Sequence, residues 1–132
     1  MTAVAEKRLL QLVVAILSCS PLGFGFLGML NGVELAGGEA ARNLATDSHL
    51  RYLSGIFFGL GLMAVSCVPG IETKTARFRW VVLLVVIGGL ARLHGFFSAG
   101  VPHGAMFWAI FAELVATPLV GLWQRRVARL WG

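Results

Sequence analysis

Apolar residues in this chain are concentrated in four long stretches, which are separated by short segments that hold most of the charged residues. The stretches cover about residues 9–30, 49–68, 78–99 and 105–123. Each is close to the roughly 20 residues that an α-helix needs to cross the hydrocarbon core of a bilayer. The pattern therefore predicts an all-α membrane protein, a single transmembrane domain over residues 1–132 that folds as a four-transmembrane-helix bundle.

Small residues and prolines distinguish the predicted spans from one another. Small residues spaced four apart share one helix face and allow close packing, and they occur as Gly28 with Gly32, Gly55 with Gly59, and Ala91 with Gly95 and Ala99. Pro21 and Pro118 predict kinks in the first and fourth spans. The polar interval before the second span predicts a short interfacial helix over 40–44 and a helix cap at Asp47 or Ser48.

Composition and charge support a membrane location. Hydrophobic residues make up 58% of the chain and charged residues 13%, against about 25% charged in a soluble domain. The net charge of +5 is not gathered into one face, so we expect no nucleic-acid partner. With four spans, one side of the membrane receives eight cations: Lys7, Arg8, Lys74, Arg77, Arg79, Arg125, Arg126 and Arg129. Since Arg42 and Arg51 alone fall on the other side, the positive-inside rule predicts cytoplasmic N and C termini.

Two charged residues lie inside the predicted spans, at matching depths. Arg92 is twelve residues past Trp80 on a rising helix, and Glu113 is eight residues past Ala105 on the next, descending helix. At 1.5 Å per residue these positions are about 18 Å up and about 12 Å down, which coincide in a core about 30 Å thick. We therefore predict that Arg92 and Glu113 pair, because an unpaired charge there costs at least about 2.5–3.5 kcal/mol.

Other polar residues belong to the same outer half of the predicted bundle. Arg51 begins the second span, and its long stem is able to reach inward to Glu113 or outward to water. Tyr52 and His94 complete the predicted buried polar cluster or ligand-binding site. Three interpretations stay open: an ion pair that only fixes helix register, a ligand pocket or proton-handling site, and charges that reach the surface without pairing.

The sequence lacks the motifs of the common catalytic and metal sites. It contains no HExxH, HxxxH or CxxCH pattern and no GxGxxG loop. Ser98 follows His94 by four residues, but no third group orients that pair. We therefore expect no catalytic residues, no metal and no cofactor. Cys19 and Cys67 differ in predicted depth, so we expect no disulfide between them.

Three segments resemble a family of small bacterial four-helix membrane proteins known as domain of unknown function 4345. LRYLSGIFFGLGL, with Arg51 and Gly55, is similar to the start of that family's second helix. IGGLARLHGFFSAGVP, with Arg92, and FAELVATPL, with Glu113, are similar to its third and fourth helices. The family tends to place an acidic residue directly before the second-helix arginine and an aspartate in the last turn of a helix, whereas His49 and Ala99 stand near those places here. The resemblance implies the same bundle and assigns no activity.

Two functions from different classes follow from these observations. The first is a non-enzymatic accessory or scaffolding protein of the bacterial inner membrane, which packs against membrane lipids, another membrane protein or a second copy of itself. The small-residue faces and the short loops favour it. The second is the binding of a lipid, quinone or anion, or proton-coupled transport, in an outer-half cavity around Arg51, Arg92 and Glu113.

Overall fold

The computed structural model describes residues 2–36, 43–100 and 104–132, and these residues are helical apart from short connections, with no strand among them. Helix α1 spans Ala3–Asn31 and leads into a 3-10 turn over Gly32–Ala36. Helix α2 spans Leu44–Cys67 and α3 spans Thr75–Ala99. The last part of the chain contains α4 over Ala105–Phe111, a π-helical turn over Ala112–Ala116 and α5 over Thr117–Trp131.

Four helical stretches of the described residues are long and apolar enough to cross a membrane: Ala3–Leu35, Leu44–Cys67, Thr75–Ala99 and Ala105–Trp131. These stretches confirm the all-α fold and the number of predicted spans. The first begins at Ala3 rather than at residue 9, and the last continues to Trp131 rather than ending at residue 123. Both extensions carry charged residues, and Glu6, Lys7 and Arg126 among them form ion pairs in the folded chain.

The chain divides into two compact units, and each is described by itself. The C-terminal unit comprises Met1–Gln11 with Gly70–Gly132, and the middle unit comprises Leu12–Pro69. In the C-terminal unit, α3 packs against α5 and against the π-helical turn. Its buried apolar residues include Leu10, Ile71, Phe78, Val81 and Val127.

Glycines allow close contact between α1 and α2 in the middle unit. A Cβ atom at Gly25 would lie 2.6 Å from the backbone nitrogen of Phe58, and one at Gly28 would collide with the Ser54 side chain. The predicted close packing is therefore confirmed at Gly28, whereas Gly32 lies in the 3-10 turn that follows α1. On α2 the closely packed glycine is Gly61, where a Cβ would lie 3.0 Å from Leu22.

The predicted GxxxG pair of α2 does not form this contact. No described atom lies within 4 Å of a Cβ at Gly59, and Gly55 has only ordinary contact with Met29, at 3.5 Å. The residues of α2 that face α1 are Ser54, Phe58 and Gly61. Ser54 and Phe58 each precede one glycine of the pair by one position, and Gly61 follows Gly59 by two. One position on a helix is a rotation of about 100°, so Gly55 and Gly59 lie to the side of the contact.

The predicted cap of the second span is wrong. The N-cap of α2 is Asn43, whose side chain accepts a hydrogen bond of 2.9 Å from the Ala45 N–H. Since α2 begins at Leu44, Asp47 and Ser48 lie within its first turns, and Asp47 has other partners that are described below. Most of the predicted helix over 40–44, and residues 101–103 between the third and fourth predicted spans, lie outside the described residues.

Candidate functional site

Arg92 and Glu113 form the predicted ion pair, within the C-terminal unit. Nε of Arg92 donates to Oε2 of Glu113 and Nη2 donates to Oε1, each over 3.1 Å. This two-point geometry matches the planar guanidinium to the carboxylate and is among the stronger protein hydrogen-bond arrangements. The side chains are 35% and 17% exposed, respectively. Each charge therefore has its counter-charge directly beside it.

A glycine on α3 brings the two helices close enough for this pair. A Cβ atom at Gly89 would lie 2.8 Å from the Cβ of Glu113 and 2.9 Å from a methyl carbon of Leu114. Real Cβ atoms are not found at such distances from other atoms, so any side chain at Gly89 would push the helices apart. Gly89 is one turn before Arg92 and therefore sets the spacing across which the guanidinium reaches Glu113.

Glu113 lies in a π-helical turn, which Pro118 explains. Pro118 has no N–H to donate, and its ring would clash with the carbonyl of Leu114 in a regular α-helix. The turn opens instead, and both the N–H and the hydroxyl of Thr117 donate to the carbonyl of Ala112, the hydroxyl over 2.9 Å. A π-turn adds one residue to the helix, so it rotates Glu113 relative to the residues of α5. Just before Pro118, where a kink is predicted, the helix thus contains a π-turn.

Arg51 caps the C-terminal end of α1 in the middle unit by hydrogen bonding to its last carbonyl groups. Its Nη1 donates to the carbonyls of Met29 and Leu30, over 2.8 and 2.6 Å, and its Nε donates to Oδ2 of Asp47 over 2.7 Å. The carbonyls of the last helical turn have no partners in their own helix, so a cation there is stabilising. The role of Asp47 was missed, although its place four residues before Arg51 is the spacing of a helical ion pair.

Asp47 also orders the turn that follows α1. Its Oδ1 accepts a hydrogen bond of 3.0 Å from the N–H of Val33. Gly32 has a positive φ of 55°, and a Cβ there would collide with the Asp47 carboxylate. Glycine is favoured at such a left-handed helix end because it has no Cβ.

The remaining predicted residues, Tyr52 and His94, belong to different units. Tyr52 is 70% exposed, and His94 is exposed as well. Neither side chain makes a hydrogen bond or ion pair with the residues that the structure describes. Arg51 and Arg92 belong to different units, so the predicted joining of Arg51 to Arg92 and Glu113 stays a prediction.

A second polar cluster, which was not predicted, lies at the start of α1 in the C-terminal unit. The buried carboxylate of Glu6 accepts from Nε1 of Trp123 over 3.2 Å and pairs with Arg126 over 3.0 Å. Lys7 pairs with Glu72 over 2.7 Å, and its ammonium lies 4.3 Å from the Trp131 ring centroid. We call Glu6, Lys7, Glu72, Trp123, Gln124, Arg126 and Trp131 the basal cluster. The acidic residue in the first turn of α1 was the available sequence signal.

Electrostatics in the basal cluster favour the charged form of Glu72. The hydrogen bond from Lys7 lowers the pKa of Glu72 below its usual value, and this effect outweighs the partial burial of Glu72, which raises the pKa.

Gln124, which is buried, donates to the Ile71 carbonyl over 2.8 Å and to the Thr75 hydroxyl over 3.0 Å. Gln124 thereby sets the register of α5 against the start of α3.

Two cavities of the C-terminal unit lie away from the Arg92–Glu113 pair. One, of about 450 Å³, is a groove between α3 and α5 that includes Val82, Pro118 and Gly121. The other, of about 470 Å³, lies at the basal cluster beside Glu6 and Trp123. In the part of the chain that the structure describes, no group of three or more metal-ligating side chains comes together.

Four helices able to cross a membrane, with charges paired at their ends and within them, define a multi-pass α-helical membrane protein. The chain belongs to the family described as Domain of unknown function (DUF4345), whose sequence profile matches residues 9–124. This match confirms the resemblance seen in the second, third and fourth spans. No curated protein and no solved structure shows significant similarity to the chain.

Proposed function

We propose that this protein is a non-enzymatic accessory or scaffolding protein of the bacterial inner membrane, with both termini in the cytoplasm. It acts by packing against other membrane proteins or against lipids. The observation that carries this proposal is that the two arginines of the predicted site are both neutralised within the chain: Arg92 is paired by Glu113, and Arg51 by Asp47 and two carbonyls. Charged groups that are matched to one another hold helices in register.

The surface of α3 supports a packing role. Ala91 is about 200° around the helix from the buried Gly89, since each residue turns the helix by about 100°. Ala91 and Ala99 are exposed, and nothing described in their unit lies within 4 Å of a Cβ at Gly95. Such a smooth face permits close approach of another helix backbone.

A ligand-binding or proton-coupled transport function is the second candidate. It is favoured by the exposure of Arg92, which leaves 35% of that side chain uncovered beside Glu113. In that case the arginine would have to be at position 92 and the glutamate at position 113. A bound anion interacts with the arginine, and a transferred proton is carried by the glutamate, so exchanging the two residues would disturb the function. A purely structural pair needs only opposite charges in contact.

A charge swap separates the two candidates. We expect Arg92→Ala to lower the free energy of unfolding by about 3 kcal/mol, because it leaves Glu113 unpaired at membrane depth. Arg92→Glu with Glu113→Arg should recover part of that loss. Thermal unfolding in detergent gives the stability, and native electrophoresis of gently extracted membranes gives the size of the complex. Arg8→Ala removes an exposed cation of the same unit and serves as the control.

The proposal expects the swapped protein to migrate in the same assembly as the unmodified protein, above the 14.2 kDa of the single chain. A swapped protein that is folded but has lost its assembly would contradict the structural role of the pair. An unmodified protein that migrates as a single chain would contradict packing against other membrane proteins and would leave packing against lipids as its role. If the swapped protein regains no stability although Arg92→Ala is destabilised, the pair depends on more than charge and the second candidate gains support.

A further inference from the structure

The groove between α3 and α5 combines an apolar wall with a basic end. Its volume is about 450 Å³, within the range of about 300–1,000 Å³ that is usual for ligand pockets. The apolar lining includes Val82, Leu83, Val86, Pro118 and Leu122. At its floor the helices are close together, because a Cβ at Gly121 would lie 3.1 Å from a methyl carbon of Val82. The volume and the lining of the groove therefore suit an extended apolar chain along the helices.

Two arginines without ion-pair partners line the end of the groove where α3 begins. Arg79 is in the first turns of α3 and Arg125 is in the second half of α5. At this end of the groove, Nε2 of Gln124 on α5 donates a hydrogen bond of 3.0 Å to the hydroxyl of Thr75, the first residue of α3. Both arginines are exposed, and neither makes an ion pair with any residue in 2–36, 43–100 or 104–132. The neighbouring Arg126, in contrast, is paired with Glu6.

We propose that this groove binds one anionic phospholipid from the leaflet that faces the predicted cytoplasmic side. The acyl chain lies along the apolar wall, and the phosphate lies between the guanidiniums of Arg79 and Arg125. Guanidinium groups bind phosphate at two points, and basic sites between membrane helices are typical of anionic head groups. Trp80, which is 61% exposed and lines the same end, is suited to the membrane interface. The inference deepens the lipid-packing part of the proposed function.

The first test compares two variants that remove the same charge. The full chain is placed in nanodiscs with equal amounts of dioleoylphosphatidylglycerol and dioleoylphosphatidylcholine, and native mass spectrometry measures the lipid that stays bound. We expect one retained phosphatidylglycerol per chain. Arg79→Gln with Arg125→Gln should lower the ratio of retained phosphatidylglycerol to phosphatidylcholine by about tenfold. Arg8→Gln with Arg129→Gln, which are outside the groove, should leave it unchanged.

The second test fills the groove and leaves its charges in place. Leu83 lines the groove and Leu84 does not, yet they are 44% and 46% exposed. Leu83→Trp should abolish the retained phosphatidylglycerol, and Leu84→Trp should keep it. Glycerol 3-phosphate, which has the head-group phosphate without acyl chains, should not displace the lipid. These variants still decide the question if the arginine variant fails to fold.

Several results would overturn the lipid site. They are equal retention of both lipids by the unmodified chain, an equal loss in both arginine variants, and phosphatidylglycerol retained by Leu83→Trp. A chain that carries a second copy instead of lipid would assign the groove to self-association. The swapped Arg92 and Glu113 variant is expected to keep its phosphatidylglycerol, so failure of the proposed function and failure of this site are seen separately.

Discussion

The arginines of this protein show how differently one residue type is stabilised at different places. Arg92 is matched by a carboxylate on the facing helix, and Arg51 covers the open carbonyls at the end of α1. Arg126 pairs with the buried Glu6. Arg79 and Arg125 have no ion-pair partner among the described residues and remain available to an anion. Each role depends on what the fold places beside the guanidinium.

The ion pair between Lys7 and Glu72 predicts an acid-sensitive contribution to stability. Because Lys7 lowers the pKa of Glu72 from its usual 4.5, the contribution is complete above that pH and is lost as the pH falls through the lower value of the folded state. We expect it to amount to about 1 kcal/mol, since the pair is only partly exposed. Melting temperatures measured in detergent between pH 7 and pH 3 will show it.

Glu72→Gln should lower the melting temperature at pH 7 and flatten the acid part of the profile. Glu34→Gln changes an exposed carboxyl of the middle unit and serves as the control. If Glu72→Gln retains the acid slope of the unmodified protein, the pair does not contribute in this way.

At the scale of elements, one proline determines how the last helix meets α3. The π-turn over Ala112–Ala116 adds a residue just before Pro118, which cannot continue regular hydrogen bonding. Pro21 shows the contrast, because α1 continues as an α-helix from Ala3 to Asn31 around it. The same residue type is thus compatible with a helix in one unit and opens it in the other.

We predict that Pro118→Ala weakens the coupling between Arg92 and Glu113. An alanine N–H allows the regular α-helical bond, and closing the π-turn rotates Glu113 by about 100° relative to α5. A double-mutant cycle with Arg92→Met and Glu113→Gln measures the coupling energy, which we expect to be about 1 kcal/mol or more in the unmodified protein. In the Pro118→Ala background it should be close to zero. Pro21→Ala is the control, and an unchanged coupling in Pro118→Ala would refute the role of the π-turn.

For the whole molecule, the distribution of cations predicts the orientation in the membrane. Lys7 and Arg8 precede the first span, and three arginines lie in the last turns of α5. The basal cluster brings the ends of these helices together within the C-terminal unit. Both ends of the chain are therefore expected on one side, which the positive-inside rule assigns to the cytoplasm.

Cysteine labelling in intact cells checks this orientation. After Cys19→Ala and Cys67→Ala, single cysteines are introduced by Thr2→Cys, Gly132→Cys or Leu44→Cys. All three positions are exposed, and Leu44 is 84% exposed at the start of α2. A membrane-impermeant maleimide should label only the Leu44→Cys protein in intact cells and only the other two in inverted vesicles. Labelling of Thr2→Cys and Leu44→Cys from the same side would contradict four spans.

Much of the fold, and one part of the candidate site, could be predicted from the sequence. The four spans follow from the length of the apolar stretches, and the pairing of Arg92 with Glu113 follows from their equal depths. The cap at Asn43 and the contact at Gly61 were not predicted, because several residues nearby offered the same local signal. The basal cluster was not predicted because its partners come from distant parts of the chain.

The local properties of the protein follow from its sequence alone: which segments are helical, which are long and apolar enough to cross a membrane, and at which helix ends the cations lie. These properties depend on a few consecutive residues and on the thickness of a bilayer. Only the tertiary structure decided which side chains meet, since Lys7 and Glu72 are 65 residues apart and Glu6 and Trp123 are 117 apart. Such contacts depend on helix rotation and spacing, which single residues such as Gly89 and Pro118 set through packing and hydrogen bonding.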